Sequence, residues 1–161
     1  MGVVARLWER SRLLQILRLG GWVAFDLPRT VTALGGALLL GIVATHVYVL
    51  SRETGLPIYF VVYATLLIAG CLLAAGVMWL ALNSRVLQGG WLLGDLVSVV
   101  YLGLYLISRA TSLPGLMALS GRWDVAPATF AAAFALGFVA VHFSVLLGIN
   151  VAYPQRQNWR D

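Results

Sequence analysis

Three ionisable side chains, His46, Asp95 and His142, lie inside or at the edge of long apolar stretches of the sequence. Two histidines in neighbouring apolar helices could provide both axial ligands of a b-type haem, because neutral imidazole is a common ligand of haem iron. An aspartate and a histidine at one level could instead pair, which lowers the free-energy cost of keeping each in an apolar environment. The choice depends on the helices that hold the three residues and on their relative depth.

The distribution of charge predicts those helices. The 161 residues include 11 basic and 6 acidic ones in short clusters, and 61% are hydrophobic, against about 45–50% in soluble domains. Uncharged runs cover residues 30–51, 54–84, 96–108 and 125–155. About 20 apolar residues cross the ~30 Å hydrocarbon layer as a helix, so the third run spans it only if Asp95 is included. The sequence predicts an all-α fold, a membrane four-helix bundle with spans at residues 30–50, 57–82, 91–109 and 126–150.

The N-terminal 29 residues predict a basic segment that lies on the membrane surface. Within residues 11–19, polar side chains follow one helical arc and leucine and isoleucine the other, a pattern typical of an interfacial amphipathic helix. Docking against a partner protein is an alternative role for this helix. The basic side chains of the segment are Arg6, Arg10, Arg12 and Arg18, followed by Arg29.

Arginine counts predict the orientation, because cytoplasmic connections carry an excess of basic residues. Eight of the 11 arginines lie in the N-terminal segment, in the connection that contains Arg85, and in the tail at residues 156–161. We therefore expect both termini in the cytoplasm. Tryptophans collect at membrane interfaces, so we expect Trp79 and Trp91 at the cytoplasmic interface and Trp123 at the outer one.

Helix geometry places the two histidines at different depths. At ~1.5 Å per residue, His46 lies ~22 Å above the cytoplasmic edge of the membrane and His142 ~8 Å above it. A difference of roughly 14 Å excludes a single haem iron held by both imidazoles. Asp95 comes out ~6 Å into its span. This is close to the depth of His142, and we expect these two side chains to face each other.

A second polar group is predicted near the outer surface, where His46, Tyr63 and Tyr105 share a depth of ~21–22 Å. Both polar groups could be interhelical hydrogen bonds that only hold the helices together, or binding sites, the outer one for a lipid, a quinone or a haem. A proton relay between them is not favoured, because no continuous ladder of polar groups connects the two depths. The polar side chains of the third helix fall within ~140° of arc and are Asp95, Ser98, Tyr101, Tyr105 and Arg109.

Other kinds of site are missing from the sequence. It contains no glycine-rich phosphate loop, no cysteine and histidine cluster with zinc spacing and no Ser–His–Asp arrangement at a common depth, so we predict no metal ligand and no catalytic residue. The basic residues flank the spans without interleaved aromatic residues, which argues against binding of nucleic acid. These features favour a non-catalytic protein.

Small residues at four-residue spacing predict where the helices pack closely, because small side chains let helix backbones approach each other in lipid. Such stripes occur in the first, second and fourth predicted spans. They are Ala33, Ala37, Gly41 and Thr45; Gly70 and Ala74; and Ala133 and Gly137.

Three short motifs carry a resemblance to a known group of proteins. The tripeptide His-Val-Tyr at 46–48 closes the first predicted span, Gly-Leu-Pro-Ile at 55–58 opens the second, and Ser-Arg-Ala-Thr-Ser-Leu-Pro-Gly at 108–115 follows the third. In these motifs the chain resembles small four-span membrane proteins of actinobacteria and related GC-rich bacteria. The resemblance implies this topology in a bacterial inner membrane. It also implies importance at the outer face for His46, Tyr48, Arg109 and Pro114, and it implies no reaction.

We therefore predict a non-catalytic accessory subunit of a larger membrane complex, with lipids and other integral membrane subunits as partners. The scarcity of catalytic groups, the packing stripes and the basic N-terminal segment favour this function, and an energy-converting complex, respiratory or photosynthetic, is one setting for it. The alternatives are a stand-alone membrane binder of a lipid, a quinone or a haem at the outer polar group, and a small transporter.

Overall fold

The computed structural model describes residues 28–80, 84–111, 114, 121–123, 125–150 and 152. Within these residues the chain forms four α-helices and no strand: α1 (Pro28–Arg52), α2 (Ile58–Leu80), α3 (Ser84–Ala110) and α4 (Ala126–Leu146). Each helix is long and apolar enough to cross a membrane. The predicted all-α membrane four-helix bundle is confirmed. The predicted interfacial helix with Arg6, Arg10, Arg12 and Arg18 lies outside the described residues, as does the tail at residues 156–161.

Each helix packs against its neighbours in the chain, and α1 and α4 close the ring. The connection from α1 to α2 is short and includes Gly55 at a φ of +83°, a left-handed conformation open to glycine. We call the end of the bundle where α1 begins and α4 ends the terminal end, and the opposite end the loop end. At the terminal end the hydroxyl of Thr32 donates to the carbonyl oxygen of Ala152 at 3.2 Å.

The bounds of two helices differ from the predicted spans by a turn or more. α3 begins at Ser84, two turns before residue 91, because a helix can continue past the apolar stretch that crosses the membrane. α4 ends at Leu146, one turn before residue 150, because Gly148 takes a φ of +72° and folds the chain back. The amide of Ile149 then donates to the carbonyl oxygen of Ser144 at 2.9 Å.

The core of the bundle is built around Trp91, whose side chain is fully buried. The ring of Phe138 stacks on it, with centroids 5.1 Å apart. A Cβ atom built on Gly35 of α1 would lie 2.6 Å from the Trp91 ring, and one built on Gly94 of α3 would meet the ring of Phe138. Glycine at these two positions lets the backbones of α1 and α3 approach large aromatic rings closely.

Two tryptophans that were both expected at one membrane interface pack differently. Trp79 is 81% exposed and Trp91 is 0% exposed. A Cβ atom on Gly35 would meet both Trp91 and Met78, and Met78 precedes Trp79 in α2, so Trp91 lies near the level of Trp79 but inside the bundle. It is a core residue.

The small-residue stripes are confirmed in part. In α1, a Cβ atom on Gly41 would lie 2.8 Å from the ring of Phe134, whereas Ala33 and Ala37 are exposed on the outside of the bundle. A four-residue step turns a helix by about 40°, so a stripe from Ala33 to Gly41 rotates from the outside of the bundle to the inside. Elsewhere, Gly70, Ala74 and Gly137 pack against neighbouring helices and Ala133 is exposed.

Candidate functional site

Helices α3 and α4 bring Asp95 and His142 into direct contact. Nδ1 of His142 lies 2.5 Å from Oδ2 of Asp95, so the imidazole donates a hydrogen bond to the carboxylate. The side chain of His142 is 2% exposed and that of Asp95 is 26% exposed. The expectation from helix depth that these two side chains face each other is confirmed. We call Asp95 and His142 the inner pair.

Trp91 completes the surroundings of the inner pair. Its indole stacks on the imidazole of His142, with centroids 5.1 Å apart and planes inclined by 25°. An indole face and a carboxylate both attract positive charge, so this geometry accommodates an imidazolium ring as well as a neutral imidazole. Trp91 was not among the candidate residues predicted from the sequence, although its spacing of four residues from Asp95 places both on one side of a helix.

Three buried polar atoms near the inner pair have no hydrogen-bond partner within the described residues. They are Nε1 of Trp91, Oδ1 of Asp95 and Oγ of Ser98. Positions 91, 95 and 98 follow one side of α3 at intervals of about one turn, so a donor, an acceptor and a hydroxyl group lie in sequence along it. A buried polar atom without a partner costs about 1–3 kcal/mol, and a bound polar molecule would remove that cost.

The second polar layer lies towards the loop end and centres on His46, which is 7% exposed. Nδ1 of His46 donates to the carbonyl oxygen of Ile42 at 2.8 Å, which leaves Nε2 as an acceptor. The hydroxyl of Tyr63 lies 3.5 Å from Nε2, a long hydrogen bond. The ring of Tyr101 packs edge-on against His46, with centroids 5.3 Å apart, and Tyr105 packs against Tyr101 in turn. We call His46, Tyr63, Tyr101, Tyr105 and Arg109 the outer group.

Direct contacts within the chain occupy most of the outer group. The hydroxyl of Tyr101 donates to the carbonyl oxygen of Ala128 at 2.7 Å. The guanidinium carbon of Arg109 lies 5.0 Å from the ring centre of Tyr105, a cation–π contact, and Arg109 is 4% exposed. Trp123 packs edge-on against Tyr105, with centroids 6.0 Å apart. The chain between α3 and α4 therefore contributes an aromatic ring to the outer group.

Tyr48 lies apart from the outer group. Its side chain is 53% exposed, and the guanidinium carbon of Arg52 lies 5.9 Å from its ring centre. The resemblance links His46 and Tyr48, but side chains two residues apart on a helix point about 200° away from each other. The structure brings His46 to Tyr63 and Tyr101 and leaves Tyr48 on the outside of the bundle.

The two histidines occupy separate levels of the bundle. His142 contacts Trp91 and Asp95, whereas His46 contacts Tyr101. Positions 95 and 101 are ~9 Å apart along a helix axis, so the two imidazoles lie at different levels, as predicted. Within the described residues, no group of three or more His, Cys, Asp or Glu side chains could hold a metal ion.

A groove opens to the outside of the bundle between α1 and α2, near the terminal end. Its volume is ≈ 520 Å³ and its floor is formed by the small residues Ala33, Gly36, Ala37, Ala75 and Gly76. A Cβ atom built on either glycine would meet no atom within 4 Å. Larger apolar side chains line the remainder of this α1/α2 groove, among them Leu40, Leu72 and Trp79.

Comparisons with known proteins assign no family to the chain. No protein-family model, curated protein or solved structure matches it. By its structure, the chain is a multi-pass integral membrane protein. It has two polar layers inside the bundle and the α1/α2 groove on the outside.

Proposed function

We propose that this protein is a non-catalytic accessory subunit of a larger membrane complex, and that a transmembrane helix of another subunit occupies the α1/α2 groove. One observation carries the proposal. Gly36 and Gly76 form part of the groove floor, and neither meets a side chain of its own chain. Two glycines on facing helices thus leave room for a close approach from outside.

The glycines of the bundle interior differ from the two groove glycines in their surroundings. Gly35, Gly41 and Gly94 each face an aromatic ring so closely that a Cβ atom would require the ring to move. A glycine inside a helix is less favourable than alanine by about 1 kcal/mol, and close packing offsets that difference at these positions. Gly36 and Gly76 have no such packing within the chain, so a partner seated in the groove would supply the missing contacts.

A transmembrane helix fits the chemistry of the groove. The lining is mostly apolar, and small residues on both sides let another helix backbone come close. In lipid no hydrophobic force draws helices together, so close packing is a main source of their association. The α1 side of the groove from Ala33 to Leu40 extends ~10 Å, about two helical turns. An acyl chain of a lipid could fill the same volume, and native electrophoresis of variants of the groove glycines distinguishes the two occupants.

The sequence supports a setting for the complex. The arginine distribution favours a membrane in which both termini face the cytoplasm, and the resemblance to actinobacterial four-span proteins favours a bacterial inner membrane. In that orientation the groove and the inner pair lie in the cytoplasmic half of the membrane. An intramembrane aspartate and histidine are typical of proton-handling machinery, so an energy-converting complex is the host that we propose.

Replacing Gly36 or Gly76 by leucine tests the proposal, because the new side chain fills the groove from its floor. We expect both variants to lose comigration with the complex in native electrophoresis of gently solubilised membranes. Gly103→Leu is the matched control. Gly103 is exposed on α3 and a Cβ atom there also meets nothing within 4 Å, so the helix receives a similar change while the groove stays open.

The outcomes separate the possible occupants. Loss of comigration in the two groove variants, with comigration retained in Gly103→Leu, supports a docked helix. Comigration that survives in all three variants contradicts docking of a helix at the groove and leaves a lipid acyl chain as its occupant. A wild-type protein that migrates alone contradicts the accessory role itself.

A further inference from the structure

We propose that the inner pair is a proton-binding site, and that Trp91, Asp95 and Ser98 hold the water that exchanges protons with it. This site is independent of the α1/α2 groove. Its ligands are a proton and at least one water molecule, and it lies in the half of the bundle nearer the terminal end. It gives the inner pair a specific ligand, and it assigns a binding role to Trp91 and Ser98, which the accessory function leaves unused.

The contact between Asp95 and His142 gives the site its capacity for a further proton. Nδ1 of His142 and Oδ2 of Asp95 already share one hydrogen, 2.5 Å apart. An added proton therefore resides on Oδ1 of Asp95 or on Nε2 of His142, and it belongs to the pair rather than to either residue. In the second case the imidazolium has the carboxylate at its edge and the indole of Trp91 on its face.

Within the described residues, the charged side chain that contacts His142 is Asp95. The element nearest to His142 is α3, which contributes Trp91 and Asp95. Around Trp91, α1 contributes Gly35 and α2 contributes Met78, neither of which titrates. Helix α2 also buries an ionisable side chain, the thiol of Cys71. The carboxylate of Asp95 is therefore the main group that offsets a positive charge on His142.

The two members of the inner pair differ in their exposure. The side chain of Asp95 is 26% exposed, whereas that of His142 is 2% exposed. The exposed part of Asp95 faces the outside of a membrane-spanning bundle, whereas its Oδ1 atom is buried. A proton therefore reaches the carboxylate through the water held at Oδ1, and it meets Asp95 before His142.

The three unpartnered atoms indicate where water binds. The indole N–H of Trp91 donates, Oδ1 of Asp95 accepts, and the hydroxyl of Ser98 does both. All three atoms are buried without a hydrogen-bond partner in the described part of the chain. Neighbouring positions on one side of a helix are about 5–6 Å apart, a gap that a single water bridges. Positions 91 and 98 are ~10 Å apart along the helix axis, so we expect one water between Trp91 and Asp95 and another between Asp95 and Ser98. Each would make at least two of the two to four bonds that are typical of a buried water.

Nuclear magnetic resonance of the protein with ¹⁵N-labelled histidine, in lipid bilayers, tests the site. The chain has two histidines, so His142→Gln and His46→Gln assign both imidazoles. We expect protonation of the inner pair on acidification to change the ring signals of His142, or to produce an infrared carboxyl band that Asp95→Asn removes. Magnetisation should pass from water to the His142 ring. His46, bonded to the backbone of its own helix, serves as the reference within the same spectrum.

The double variant Trp91→Phe/Ser98→Ala removes two of the three partners of the water. We expect transfer from water to His142 to fall several-fold while the His46 signals persist, and Ser98→Ala alone gives the same test if the double variant does not fold. Two results would overturn the site. One is an inner pair whose ring signals and carboxyl band both stay constant as the sample is acidified. The other is a water transfer that is absent in the wild type or unchanged in the variants.

Discussion

The inner pair and the outer group satisfy their polar atoms in different ways. In the inner pair, Asp95 and His142 bond to each other across two helices, and Oδ1 of Asp95 has no partner among the described residues. In the outer group, His46 and Tyr101 donate to backbone carbonyl oxygens, and aromatic rings fill the space between them. The outer group is therefore held by the chain itself and stabilises the loop end. The inner pair keeps unused bonding capacity, as a site that binds water and protons requires.

The tryptophan of each layer provides the largest expected contrast. Trp91 is 0% exposed and stacks on both Phe138 and His142, whereas Trp123 is 58% exposed. We expect Trp91→Ala to lower the free energy of unfolding by about 3–5 kcal/mol, because it leaves a large cavity in the core. Trp123→Ala should lower it by less than about 1 kcal/mol. Unfolding of both variants in detergent, followed by circular dichroism, measures the difference, and equal losses would contradict the distinction between the layers.

Double-mutant cycles compare the coupling within each layer. For Asp95→Ala and His142→Ala we expect a coupling free energy of about 1.5 kcal/mol, near the upper limit seen for interhelical hydrogen bonds in membranes. A short bond to a carboxylate is stronger than one between neutral groups. For His46→Ala and Tyr63→Phe, joined by a bond of 3.5 Å, we expect less than about 0.5 kcal/mol. A larger coupling in the outer group than in the inner pair would reverse this account.

Two tyrosine hydroxyls provide the smallest contrast. Tyr101→Phe removes a hydroxyl that donates to the carbonyl oxygen of Ala128, and we expect it to lower the free energy of unfolding by about 1 kcal/mol. Tyr48→Phe is the matched control, since the side chain of Tyr48 is 53% exposed, and we expect no measurable change. If Tyr48→Phe alone weakens association with other subunits, Tyr48 belongs to a contact surface, as its motif in the sequence implies.

Much of the fold and one contact of the candidate site could be predicted from the sequence. Gaps between charged residues mark apolar helices because the bilayer sets a minimum length for them. The rise per residue is nearly constant in an α-helix, so depth along a span can be counted. That count places Asp95 and His142 at one level and His46 at another, and the structure confirms both relations.

The remaining features depend on three-dimensional packing. The charge pattern marks where an apolar stretch begins, but it does not show where the helix begins or that Trp91 packs inside the bundle. Four-residue spacing cannot identify which side of a helix faces a neighbour, so it grouped Ala33 with Gly41, although only Gly41 faces the interior. The depth of a Cα atom does not fix where a long side chain ends. For this reason Tyr105 was expected beside His46, and Tyr101 contacts it.

The central claim is that this chain is one subunit of a larger membrane complex. It is tested most directly by native mass spectrometry of the wild-type protein, extracted gently from its own membrane. We predict an assembly in which another integral membrane protein accompanies the chain in a fixed ratio. The contrary result is a particle that contains this chain alone, with bound lipid and detergent and no other polypeptide.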